Sequence, residues 1–242
     1  MPETARGAYE LMIKTNHYLI KGGDLLESQK AGIAGRLLAK AVNNGRAGQF
    51  YNRVSDGREM YPSFYIPPYN NGKKCQTVIP MSPKTRILAD NAYELEILRL
   101  LFMFAGQNEA VRHMVRETLN RLKRTCFGYK GCAVGECFEA GVASLRFICA
   151  AAAYETDWIK KQVSVFNRHY TDKRRHSGVL KYYWLCLSEM PVHIGGPEII
   201  RHKDTIINQL QKESKSKSGK DIHQVLASVM ENALARLPEY IS

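Results

Sequence analysis

Apolar residues recur along this chain with helical period, and in its second half two kinds of helix alternate. The run Leu95, Ile97, Leu98, Leu100, Leu101, Phe102, Met103, Phe104 is apolar on most sides, which predicts a buried helix. After Gly106, Asn108 is placed to cap a second helix reaching about Arg124. Its apolar residues Val111, Met114, Val115, Leu119 and Leu122 stand three and four apart, so it should be half exposed. The same order returns twice. Residues 136–153 are small and apolar, and 156–170 are amphipathic; 178–190 are apolar, and a partner helix is expected from Pro197 to about Glu213, with Pro191 stopping the helix before it. A last helix is expected over 221–237. First helices therefore start near 91, 137, 178 and 221, at intervals of 46, 41 and 43 residues. That is the period of stacked antiparallel helix pairs.

Each second helix carries an acid, two apolar residues and a base: Glu109-Ala110-Val111-Arg112, Asp157-Trp158-Ile159-Lys160 and Glu198-Ile199-Ile200-Arg201. An acid in the first turn suits the helix macrodipole, so this signature predicts a helix start. The first ninety residues read differently. Residues 8–20 and 24–42 predict one further hairpin broken at Gly22-Gly23. The stretch 43–85 holds five of the nine prolines, six aromatics (Phe50, Tyr51, Tyr61, Phe64, Tyr65, Tyr69) and the turn pairs Asp56-Gly57 and Asn71-Gly72. Its length predicts an ordered functional excursion or short strands rather than a plain connection.

The expected fold is all-α: a single helical-repeat domain over 1–242, with an N-terminal hairpin (1–42), an irregular aromatic-rich excursion (43–89) and repeated hairpins (90–242). The pattern resembles helical-hairpin repeat proteins, either a HEAT-like α-solenoid curving right-handed or a partial α/α-toroid.

A net charge of +12 makes an acidic partner plausible, and the repeat register places most of that charge. The turns leaving successive second helices carry Arg121, Lys123, Arg124 and Lys130; then Arg168, Lys173, Arg174 and Arg175 with Asp172; then Lys212, Lys215, Lys217 and Lys220 with Glu213. These turns hold a net +10, on the edge opposite Glu109, Glu155, Asp157 and Glu198. Phe127, Tyr129, Tyr170 and His176 lie between the cations and could stack bases. The alternative is a solvated basic rim, because bases favour helix C-termini in any case.

The chain has six cysteines and no leader-like apolar run at its start, so reduced thiols and a cytoplasmic location are expected. Its longest apolar run, 97–105, is broken by Arg99, and no membrane span is expected. Cys149 and Cys186 sit in apolar helices and should act as small hydrophobes. Cys126, Cys132 and Cys137 are the densest thiol group, on a turn rich in glycine. Their spacing is wrong for a zinc knuckle and a fourth ligand would have to come from elsewhere, His169 or His176 for instance. Packing at helix ends is their expected role, and no metal or cofactor is expected.

Nucleotide motifs fail on context. His193-Ile194-Gly195-Gly196 and Lys215-Ser216-Lys217-Ser218 lie outside any parallel-strand pattern, and Gly128-x-x-Gly131-x-x-x-Gly135 lacks a following Gly-Lys-Ser/Thr. The run Ile87-Leu88-Ala89-Asp90-Asn91-Ala92-Tyr93-Glu94-Leu95, after a Gly- and Tyr-rich loop and before repeated hairpins, resembles α/α-toroid proteins over about residues 24–190. These include six-hairpin glycosidases and terpenoid cyclases. That resemblance implies a central cavity, with Asp90, Glu94 and Glu96 as candidate carboxylates for a carbohydrate-active site near 43–96. Capping by Asn91 and Glu94 is the competing role. The leading expectation is a non-enzymatic binding or scaffold protein whose basic edge meets an anionic macromolecule, nucleic acid first.

Overall fold

Among residues 3–41, 76–84, 86–170, 177–214 and 221–238, which the computed structural model describes, regular structure is helical and no strand occurs. Among these described residues nine α-helices follow in order: α1 Glu3–Ile20, α2 Glu27–Leu38, α3 Arg86–Ala105, α4 Glu109–Leu122, α5 Cys137–Ala151, α6 Thr156–His169, α7 Ser177–Glu189, α8 Val192–Ser214 and α9 Asp221–Ala235. A single π-helical turn, Cys126–Lys130, stands between α4 and α5. No described helix is long and apolar enough to cross a membrane.

The alternation in the sequence is an alternation of depth. Every residue from Asn91 to Leu101 in α3 and from Val142 to Cys149 in α5 is buried, as is the run Tyr182–Leu187 in α7. On α4 and α6 burial is confined to a stripe, Val111, Val115, Thr118, Arg121 and Leu122 on the first and Trp158, Ile159, Gln162, Val163 and Phe166 on the second. The inner helices pack in series, α3 on α5, α5 on α7 and α7 on α9, while α1 touches both α3 and α9. Lys21 Nζ to Asp221 Oδ1 at 2.6 Å and Asn232 Nδ2 to the Ile20 carbonyl at 2.9 Å fasten α1 to α9. One continuous core runs from Ala8 to Ala233.

Two expected helix starts are corrected. Helix α3 begins at Arg86, so Asn91 is not its cap. The Asn91 amide donates to the Ile87 carbonyl at 2.7 Å and accepts from Arg121 Nη1 at 2.8 Å, tying α3 to α4 from inside the helix. Helix α8 begins at Val192, because the amides of Ile194 and Gly195 both donate to the Pro191 carbonyl at 2.9 Å. Pro197 therefore sits inside α8, and there its missing N–H deprives only the His193 carbonyl of a partner. Glu198 is consequently not at a helix start. It is 6% exposed and accepts from Asn167 Nδ2 at 2.9 Å and Arg201 Nη1 at 3.1 Å.

Of the excursion expected over 43–85, residues 43–75 and 85 lie outside the described residues. Residues 76–84 run along α1 without regular structure. Tyr9 Oη donates to the Gln76 carbonyl at 2.9 Å, His17 Nε2 is 2.9 Å from the Val78 carbonyl, and Val78 and Ile79 are fully buried.

The interior holds a polar network that the repeat pattern did not predict. Arg146 of α5, 1% exposed, donates from Nε and Nη2 to both carboxylate oxygens of Glu189 at 2.8 and 2.7 Å. Its Nη1 reaches Glu96 Oε2 at 2.7 Å and Asn16 Oδ1 at 3.0 Å. Arg99 adds a 2.9 Å ion pair to Glu189 and a 3.3 Å bond to Asn16, and Tyr182 Oη donates to Glu96 Oε1. Two guanidiniums and two carboxylates balance, and α1, α3, α5 and α7 each contribute. Burial alone would lower the Arg146 pKa, but Glu189 and then Glu96 hold it well above the usual value. Burial would likewise raise Glu189, whose side chain is 27% exposed, yet Arg146 and Arg99 bring it down to about 2.

Candidate nucleic-acid interface

Helices α4 and α6 turn their polar faces outward, and a groove of about 290 Å³ opens beside them. Its apolar floor comes from Phe102 of α3, Val115 and Leu119 of α4 and Ala151 of α5. Arg112 and Arg116 are exposed on the next turns of the same helix, and Asn120 and Lys123 continue the row. Tyr154, in the short α5–α6 connection, is 77% exposed and forms part of the wall with Trp158.

Trp158 is fixed from behind. Its indole Nε1 donates to the Gly128 carbonyl at 2.7 Å, and Gln162 Nε2 donates to the same oxygen at 2.7 Å. The π-helical turn makes that carbonyl available. Thr125 caps the turn by accepting from the Gly128 amide at 3.1 Å, and a Cβ at Gly128 would lie 2.5 Å from the Leu122 carbonyl oxygen. Only glycine fits there. Around the turn, cations alternate with rings: Lys123 Nζ lies 5.3 Å from the Trp158 ring centroid, Tyr129 meets Trp158 edge to face at 6.2 Å, and Lys161 Nζ lies 3.9 Å from the Tyr129 centroid.

The structure divides the expected basic residues. Arg121 is a correction: it is 3% exposed and directed inward to Asn91, so it presents no charge to a partner. Lys123 is exposed but paired with Glu155 at 2.6 Å, which cancels much of its charge. Arg124, Lys130 and Arg168 are exposed, the first just before the π-helical turn, the second at its end and the third in the last turn of α6. Lys173, Arg174, Arg175, Lys215, Lys217, Lys220 and His176 lie outside the described residues. Among the expected stacking groups Tyr129 is exposed, Phe127 is buried, and Tyr170 is half-buried and stacked on Phe166 at 4.9 Å.

Arg112, Arg116 and Tyr154 were not singled out as site residues. The first two stand four apart on one amphipathic helix, which is the signal that could have found them. Arg116 Nη2 lies 3.2 Å from His113 Nδ1.

The carboxylates expected of a carbohydrate-active site are placed otherwise. Glu96 is bound to Arg146 and Tyr182 in the core, which is a correction to its candidacy as a catalytic acid. Glu94 is buried at 1% exposure. The side chain of Asp90 lies outside the described residues.

The thiols expected to pack at helix ends come together. The Sγ atoms of Cys126, Cys132 and Cys137 all lie within 4.8 Å of one another, with Cys126 and Cys137 3.7 Å apart. The Val134 backbone amide lowers the Cys132 pKa, while burial and then Cys126 push Cys137 up to about 12. Cys149 and Cys186 are buried and, as expected, behave as core residues.

Comparison of the chain with protein-family models, with curated proteins and with solved structures found no match.

Proposed function

We propose that this chain is a non-enzymatic binding protein that takes single-stranded nucleic acid along the outer face of α4 and α6. The supporting observation is the juxtaposition of exposed Arg112 and Arg116 with the 77% exposed ring of Tyr154 across one groove. Guanidiniums bind phosphates, and an exposed tyrosine offers a π-face on which an unpaired base stacks at about 1–3 kcal/mol. A duplex keeps its bases stacked on each other, so this combination favours a single strand. Arg124, Tyr129, Lys130 and Lys161 extend the same surface past the π-helical turn.

In this reading the inner helices α1, α3, α5, α7 and α9 form a partial toroid, and the outer helices are the face it presents. The contacts of α1 with both α3 and α9 support that architecture. The ion-pair network acts as the structural filling of the ring.

The test is fluorescence anisotropy of the full chain with labelled single-stranded and duplex oligonucleotides over a range of salt. Single strands should bind more tightly than duplexes. Tyr154→Ala should weaken binding roughly 5- to 150-fold. The double variant Arg112→Ala/Arg116→Ala should flatten the logarithmic salt slope by about 1.4, at about 0.7 per phosphate contact. No binding by the wild type at low salt ends the proposal.

A further inference from the structure

Three thiols on one short segment become three corners of a tetrahedron only through the local fold. Cys126 opens the π-helical turn, and its carbonyl accepts from the Cys132 amide at 3.0 Å, closing the loop between them. Gly131 at φ 74° and Gly135 at φ 55° take left-handed backbone, which folds residues 131–136 back so that Cys137 enters the first turn of α5 beside Cys126. Sequence spacing hid this, because five and four intervening residues do not make a knuckle on an extended chain.

We propose that Cys126, Cys132 and Cys137 form a zinc site, with water in the fourth position. Zinc–thiolate bonds of about 2.3 Å set the sulfur–sulfur edge of a tetrahedron at about 3.8 Å. The Cys126–Cys137 separation of 3.7 Å already meets that edge. The other two separations, at most 4.8 Å, close by small χ1 adjustments of short side chains. Soft sulfur donors select a thiophilic cation over magnesium or calcium. Cys126 is exposed and Cys132 half-buried, so the site is reached from solvent, while Cys132 also lines a cleft with Phe127, Phe138 and Val165 that shields its inner side. Glu136, adjacent to Cys137, accepts from the Lys84 backbone amide and so is turned to another partner. Binding replaces each S–H proton by a bond to the metal, releasing three protons per ion.

A bound ion would join the π-helical turn to α5, holding the turn that positions Trp158 and carries Lys130. The site stands on the geometry of the three sulfurs and is independent of whether nucleic acid binds.

The experiment uses the full chain, purified under reducing conditions and titrated anaerobically with Co²⁺ as a spectroscopic probe, then with Zn²⁺. One equivalent of Co²⁺ should give a thiolate charge-transfer band and tetrahedral d–d bands, which Zn²⁺ abolishes. Cys126→Ser should lower Zn²⁺ affinity about 100-fold or more, whereas Cys149→Ser should leave it unchanged. Because a core-facing variant such as Cys137→Ser could fail to fold, alkylation of the wild type is mapped by mass spectrometry in parallel. Zn²⁺ should protect Cys126 and Cys132, and a chelator should expose them. Absence of the thiolate band, an unaltered band in Cys126→Ser, or alkylation indifferent to Zn²⁺ overturns the assignment. So does recovery of a Cys126–Cys137 disulfide that forms equally fast with Zn²⁺ present.

Discussion

Replacing Arg146 by Met keeps the unbranched apolar stem and removes the guanidinium at the centre of the ion-pair network. Four hydrogen bonds go with it, two to Glu189, one to Glu96 and one to Asn16. Glu189 retains Arg99 and partial exposure, so most of the cost falls on Glu96, whose side chain is 3% exposed and is left with the Tyr182 hydroxyl. Stranding a buried charge costs about 3–5 kcal/mol, against a total stability of about 5–15 kcal/mol. For a chain of this size that is a fall in Tm of roughly 6–20 °C. Urea denaturation at pH 7 followed by helical circular dichroism measures the cost, urea being chosen because it does not screen charge. Adding Glu96→Gln to Arg146→Met removes the stranded charge, so the double variant should be more stable than the sum of the singles by about 0.5–3 kcal/mol. A cost below about 1 kcal/mol for Arg146→Met, or strict additivity with Glu96→Gln, would refute the reasoning.

Two further outcomes follow from the packing and the charges. Burial alone would raise the Glu213 carboxyl, but Lys181 and His223 hold it at about 2, so its contribution is complete above the ordinary 4.5 and is lost as pH falls from there toward 2. In thermal denaturation from pH 7 to pH 2, Glu213→Gln should start less stable than the wild type and converge on it in acid; parallel curves would exclude the pairing. Gly128→Ala places a methyl 2.5 Å from the Leu122 oxygen and 2.6 Å from Thr125 Oγ1, so it should cost about 1–3 kcal/mol and shift Trp158 fluorescence as its indole bond is disturbed. An unchanged Tm with unchanged emission would show that the turn tolerates a side chain.

The alternation of buried and half-exposed helices was legible because burial on one side or on all sides writes different apolar periods, as α3 and α4 show. Helix starts were less so. Asn91 has the form of a cap, yet the helix continues five residues before it, and its amide serves Arg121 instead. Arg121 and Lys123 are both bases near one helix end, but two residues separate their directions by about 200°, which sends the first inward with Thr118 and Leu122. The ion-pair network was missed because its members are scattered across four helices. Its signal was there, in single charges such as Glu96 and Arg146 set among apolar neighbours on helices with no polar face. The thiol cluster was visible as a group but not as a geometry, since two left-handed glycines and a π-helical turn bring the sulfurs together.

The central claim concerns where a single strand would lie. Ultraviolet crosslinking of the intact chain to a photoreactive single-stranded oligonucleotide, followed by mass spectrometric mapping, tests it most directly. The account predicts adducts on Tyr154, with Tyr129 next, and their loss when Arg112 and Arg116 are both changed to Glu. Adducts confined to other surfaces, or adducts on Tyr154 that survive that charge reversal, would contradict it.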